Sequence, residues 1–172
     1  DIQPGINDAL DHLEGFGHKH LAYLGGPRNS WMSNRRWTLL MKGAVKRGMT
    51  IVEIGPNVPT LEGGRQTVER ILASGATAVI AYNDLMAIGV LRALKERKVQ
   101  VPKDLSLVGF DNIFGSDFTT PSITTVAMPL ASVGDEAVKA LLSLFVEDDA
   151  EPYLGSSLET RLLVRDSTGK IK

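Results

Sequence analysis

Asn83 and Asp111 are the side chains whose types and settings point most clearly to chemistry in this chain. Asn83 and Asp111 each follow a short apolar run, 77–81 and 105–108. Such runs read as strands buried on both faces of a parallel sheet. Both polar groups therefore fall just past a strand's carboxyl end, where open α/β sheets bind their ligands. Asn offers one acceptor and two donors, and ionised Asp offers acceptors only. A polyol, whose hydroxyls donate and accept, matches that set. A cap or turn role is the alternative for Asn83. Asp84 reads as the cap of the following helix, its side chain accepting from amides of the first turn. Asp111 has the stronger claim, because Gly109 and Phe110 frame it in a tight strand exit.

Arg28, Arg35 and Arg36 lie in or beside the loop after the first expected strand. Arg makes planar, bidentate hydrogen bonds to vicinal oxygens or carboxylates. Trp31 stands nearby and can lay its ring against the apolar face of a sugar. The competing reading is that Trp31 and Trp37 fill the core and the arginines are solvated.

Other chemistries find less support. The three histidines, His12, His18 and His20, all lie in the first twenty residues. His18 and His20 share a face if both lie on a strand, but a metal needs further ligands and there is no Cys. His18 reads instead as a cation suited to the carbonyl end of a helix. Gly25-Gly26-Pro27 and Gly63-Gly64 match neither glycine-rich phosphate motif. Pro27 also removes an amide that a phosphate cradle would use. Both read as turn chemistry. No nucleophile elbow or HExxH motif is present. No enzyme activity, metal or cofactor is expected.

Positioning these residues requires alternating strands and helices. Apolar residues at Ile6, Ala9, Leu10, Leu13 and Phe16 have helical spacing, and Gly17 ends that helix. A strand at 20–24 follows. A helix capped by Ser33 or Asn34 then runs to about Arg47, with Gly48 as its stop. The pattern continues with a strand at 50–54, a helix at 62–73, the strand to Ala81 and a helix at 84–96. After the strand to Gly109 come a loop, a strand at 122–126, a helix at 129–147, a polar connection at 148–155 and a strand at 157–165 with a polar tail. Alternation at this spacing predicts an α/β fold, a mostly parallel sheet with helices on both faces.

Composition sets the outer bounds. A chain of 172 residues with 43% hydrophobic and 23% charged residues is an ordinary globular domain with enough length for a sizeable core. A formal net charge of -1 leaves no electrostatic footprint for nucleic acid. The longest apolar stretches fall far short of a membrane span. Residues 1–5 carry no signal-peptide pattern, and the absent initiator Met reads as a cut.

Further segments carry a resemblance: AYNDLMAIGVLRAL, VPKDLSLVGFDN, TTPSITTVAMPLASVGDEAVKALL and LETRLLVRDSTG, with Arg36 ahead of them. From about Ile6 to Thr168 the chain resembles the effector-binding domain of LacI/GalR-family bacterial transcription repressors. Periplasmic sugar-binding proteins share the Asn-Asp and Gly-Phe-Asp elements but usually lack two others. Those two are 121–125 with Pro129, and the ending Leu163-Val-Arg-Asp-Ser-Thr168. The chain departs from the pattern in Arg36-Trp-Thr-Leu39, where many relatives have Arg-x-x-Gly.

The resemblance implies two Rossmann-like lobes of the type I periplasmic-binding-protein-like fold, with ligand in the cleft. On that basis residues 1–172 are mainly the C-terminal lobe plus crossover helices. The N-terminal lobe and the helix-turn-helix headpiece that reads operator DNA would lie outside this chain. The first helix and the 129–147 helix would pack on the missing lobe. Arg36 would bind ligand hydroxyls or a carboxylate, Asn83 would hydrogen-bond a hydroxyl, and Asp111 would accept from hydroxyls. Ser30 and Trp31 would line the pocket, and Pro59 and Thr60 fall where relatives place another cleft residue. The implied function is sensing of a small sugar-like effector by a cytoplasmic, homodimeric regulator that does not contact a membrane. The alternative is a periplasmic receptor delivering sugar to a permease.

Overall fold

A computed structural model describes residues 1–143, 145 and 157–171. Six strands form one sheet: β1 (His20–Leu24), β2 (Thr50–Ile54), β3 (Ala78–Ala81), β4 (Ser106–Asp111), β5 (Thr124–Ala127) and β6 (Arg161–Leu163). Their order is β2-β1-β3-β4-β5-β6. All neighbours are parallel except β6, which runs antiparallel to β5 with Thr125 opposite Leu163. The alternating α/β reading of the sequence thus holds, with the closing strand shorter than 157–165.

The helices are α1 (Gln3–Gly15), α2 (Trp31–Lys46), α3 (Leu61–Arg65), α4 (Val68–Ala73), α5 (Asp84–Glu96) and α6 (Leu130–Ser143). Two apolar layers flank the sheet. On one face Ile6, Leu10 and Leu13 of α1 and Leu40 of α2 pack on Tyr23, Ile80 and Phe110. On the other, Val68 and Ile71 of α4 and Val90 and Leu94 of α5 pack on Leu24, Val79 and Leu107. Trp37 joins the first layer, stacking on Tyr23 with ring centroids 6.1 Å apart. Leu39, which stands where relatives often have glycine, also packs there.

Several expectations need correction. The first helix does not wait for another lobe, because Ile6, Ala9, Leu10 and Leu13 are buried against its own sheet. The cap of α2 is Ser30, whose Oγ accepts from the Ser33 amide at 3.2 Å, rather than Ser33 or Asn34. The single helix expected over 62–73 is broken at Gln66–Thr67. Its Gly63-Gly64 pair is helical rather than a turn, for a steric reason. A Cβ on Gly64 would stand 2.1 Å from the Met86 carbonyl oxygen, and one on Gly89 would stand 1.9 Å from that of Leu61. Glycines at both positions let α3 and α5 touch backbone to backbone.

His18 is not a surface cation at a helix end. Its ring is buried between Thr77 Oγ1 (2.9 Å), Ser106 Oγ (3.0 Å) and the Gly169 carbonyl (3.0 Å). Burial holds its pKa below the usual histidine value, against the pull of the Gly169 carbonyl. His12 and His20 each meet a threonine hydroxyl at 2.8 Å. No cluster fit to hold a metal occurs among the described residues. The polar tail is also tucked in: Ser167 Oγ accepts from the Thr124 amide and donates to the Leu107 carbonyl.

α6 is the exception to this packing. None of its described residues is buried. Of the remainder of the helix expected to Glu147, Leu144, Val146 and Glu147 lie outside the described residues, as does the 148–155 connection.

Candidate functional site

The strand order places one structural feature at the centre of the sheet. After β1 the chain turns to α2 on one face, and after β3 it turns to α5 on the other. Their exits diverge side by side, which opens a crevice at the carboxyl ends of β1 and β3, the topological switch point of such sheets. Ser30 from the first exit and Tyr82 from the second meet across it, Oγ to hydroxyl at 3.3 Å.

Arg36 rises into this crevice from the second turn of α2. Its side chain is 4% exposed, so its charge must be compensated within the protein. Nη2 donates to Asp111 Oδ1 at 3.0 Å, and Nη1 donates to the Tyr82 carbonyl. The guanidinium lies 4.0 Å from the centroid of Phe110 and 4.9 Å from that of Tyr82, so the quadrupoles of both rings face the cation. Nε is buried without a partner among the described residues. The sequence reading set Arg36 and Asp111 in one cleft but did not pair them.

Asp111 ends β4 with its side chain 30% exposed. One carboxylate oxygen is held by Arg36, and the partial exposure leaves the group open to an incoming donor. Its φ is +94°, and that of Asn112 is +53°. Non-glycine residues adopt this region rarely, so the surrounding contacts must impose it. Asn112 in turn accepts from Arg165 Nη2 at 2.7 Å.

Asn83 is the cap of α5. Its Oδ1 accepts from the Met86 amide at 3.0 Å, and its Nδ2 donates to the Pro59 carbonyl at 3.2 Å. Asp84, read from sequence as that cap, is buried instead. It accepts from the Thr125 hydroxyl at 2.7 Å and from the Ile113 amide at 2.9 Å. Trp31, at 72% exposed, does not fill the core and stands at the first position of α2. Thr60 caps α3, its Oγ1 accepting from the Gly63 amide. Arg28 and Arg35 are exposed and outside the Arg36–Asp111 group. Arg28 borders a cavity of about 220 Å³ beside Glu53 and Gly55 at the ends of β1 and β2.

The structure thus brings together Ser30, Arg36 and Asp111, adds Tyr82 and Phe110, and gives Asn83 a structural task as well. Tyr82 was not singled out from sequence, although it sits directly at the exit of the run ending in Ala81. The site is an open, polar wall with one buried cation, one half-open carboxylate and aromatic flanks. It holds no nucleophile with a base beside it.

Comparison with known proteins agrees with this fold. Residues 10–168 match the family model described as a periplasmic binding protein-like domain. The transcriptional regulator reg1 of Streptomyces lividans is 31% identical, over 98% of this chain and 50% of that protein. The repressor CytR of Escherichia coli is 30% identical, over 94% of this chain and 48% of that protein. The chain thus spans about half the length of these curated relatives. Among solved structures, a LacI-family regulator from Enterococcus faecium with bound ribose superposes with a TM-score of 0.87 at 29% identity. That match covers 98% of this chain and 63% of that one. A dimeric Lac repressor superposes with a TM-score of 0.87 at 27% identity, covering 97% of this chain and 62% of that one. This chain belongs to the periplasmic binding protein-like domain family, in the form that LacI-type transcriptional regulators carry.

Proposed function

We propose that this chain is the C-terminal lobe of the effector-binding domain of a LacI-type regulator, and that a small sugar-like molecule seats on the wall formed by Arg36 and Asp111. The carrying observation is their buried ion pair at the switch point, with the Asp111 carboxylate left partly open. Asp111 accepts from ligand hydroxyls. Arg36 orients that carboxylate and offers a remaining Nη hydrogen to a ligand oxygen. Ser30 and Tyr82 border the wall, Trp31 covers its outer edge, and Asn83 uses its second N–H. The effector acts by binding two lobe arrangements with different affinity, since equal affinity shifts nothing. DNA is read by a helix-turn-helix segment outside these residues, in a cytoplasmic homodimer. The named relatives are regulators, which favours this reading over a transport receptor or an enzyme.

Thermal unfolding of the intact regulator with pentoses, hexoses and disaccharides tests this. One wall buries too little of a ligand alone, so the two-lobed protein is the right sample. A ligand at 100 times its Kd adds about 2.7 kcal/mol, and the expected result is a clear rise in midpoint with one sugar. A rise with amino acids and none with any sugar overturns the assignment.

A further inference from the structure

Asp84 has a task that its place at the start of α5 does not reveal. It is fully buried, yet Asn83 already caps the helix. Its carboxylate instead crosses to the exit of β4 and to the start of β5. Oδ1 takes the Thr125 hydroxyl and Oδ2 takes the Ile113 amide. β4 makes room for it. A Cβ on Gly109 would lie 2.0 Å from Asp84 Oδ1, so this strand position must be glycine while the carboxylate is there. Between Gly109 and Ile113 stand Asp111 and Asn112, both at positive φ. The Asn112 amide meets Thr125 Oγ1 at 3.4 Å, and Arg165 ties the Asn112 side chain to the Ile123 carbonyl.

We propose that Asp84 is the positioning residue for Asp111: by holding the Ile113 amide and the Thr125 hydroxyl, it fixes the left-handed turn and the direction in which the Asp111 carboxylate is presented. Its meaning for ligand binding rests on the reading above. Backbone in this region relaxes unless surrounding contacts over-determine it, and Asp84 makes two of those contacts. An ionised carboxylate accepts both hydrogen bonds. A protonated one has turned one oxygen into a donor, and no longer serves both partners equally. Burial raises the Asp84 carboxyl to about 6, opposed by the hydrogen bonds from Thr125 and Ile113. The charged groups facing it are Asp111 on β4, which raises it further, and Arg165 beyond β6, which lowers it. Arg36 of α2 faces the same turn through Asp111. The hydrogen bonds from Thr125 and Ile113 favour the ionised form, so these two contacts weaken as the pH falls through that value; because burial has raised the pKa, the fold as a whole gains stability from the same protonation.

Amide NMR of this chain reads the latch without any ligand. In the wild type the Ile113 amide should titrate with a midpoint near pH 6. Asp84→Asn, which still accepts from Ile113 and can donate to Thr125, should keep the Ile113 hydrogen bond and abolish its titration. Asp84→Ala should shift the Asp111, Asn112 and Ile113 resonances together. An Ile113 amide that stays flat through that pH range in the wild type overturns the role. So does Asp84→Ala with the Asp111 and Asn112 resonances unmoved. If the alanine variant does not fold, the wild-type titration and Asp84→Asn decide. An intact Ile113 titration in a protein that ignores sugars supports the positioning role and contradicts the ligand reading.

Discussion

Replacing Arg36 with alanine should lower the thermal midpoint of this chain more than any other change to the site. The guanidinium is buried, paired with Asp111, bonded to the Tyr82 carbonyl and faced by two rings. Removing one partner of a buried ion pair typically costs ~3–5 kcal/mol, because the other charge stays behind. Asp111 is partly exposed and can recover some hydration, which puts the expected loss at the low end, about 3 kcal/mol. At ~2–4 °C per kcal/mol for a domain of this size, the midpoint falls by about 6–12 °C. Arg36→Lys should recover only part of this, because a point charge cannot serve the carbonyl and the carboxylate in one plane. A loss below ~1 kcal/mol, the range of a surface pair, would mean that Arg36 is solvated in solution.

The second large effect concerns the oligomeric state of the 172-residue chain. Leu130, Val138, Leu141 and Leu142 on α6 are each more than half exposed, and Val133, Ala137 and Ala140 are exposed beside them. A contiguous apolar helix surface of this kind exceeds what soluble monomers usually leave bare. The chain on its own should therefore self-associate, and light scattering should give a mass at or above twice 18.6 kDa. The first helix contributes nothing, since Ile6, Leu10 and Leu13 are already covered. Aspartates at Val133 and Leu141 should return the chain to monomer without unfolding it. A monodisperse monomer before substitution contradicts the expectation.

The sheet was legible because β1, β3 and β4 are short apolar runs buried on both faces, and such runs stand out from any amphipathic pattern. Asp111 was legible for the same reason, as the first carboxylate past such a run. Its pairing with Arg36 was not, because the two lie 75 positions apart and nothing local couples them. Sequence alone assigns the cap of α5 to Asp84 and leaves it to Asn83 only as an alternative, whereas Asn83 is the cap. Both residue types cap helices, and only the extended backbone of Asn83, at φ -149° and ψ 171°, selects it. Asp84 as a buried anchor depends on Gly109, Ile113 and Thr125 arriving from elsewhere in the chain. The break between α3 and α4 was hidden too, because Gly64 and Gly89 declare their contact only once α3 meets α5. The resemblance implies that the first helix packs on another lobe, whereas its apolar stripe is matched by Leu40, Val126 and Leu162 of this same chain.

In the proposed function the Asp111 carboxylate, held at the switch point, is what ligand hydroxyls meet. Calorimetric titration of the intact regulator tests it most directly, comparing wild type with Asp111→Ala for the sugar that raises the thermal midpoint. Loss of one buried acceptor costs ~1–3 kcal/mol, so affinity should weaken by about 5- to 150-fold. An unchanged affinity in a variant that still folds would show that Asp111 serves only the turn, and that the ligand, if any, binds elsewhere.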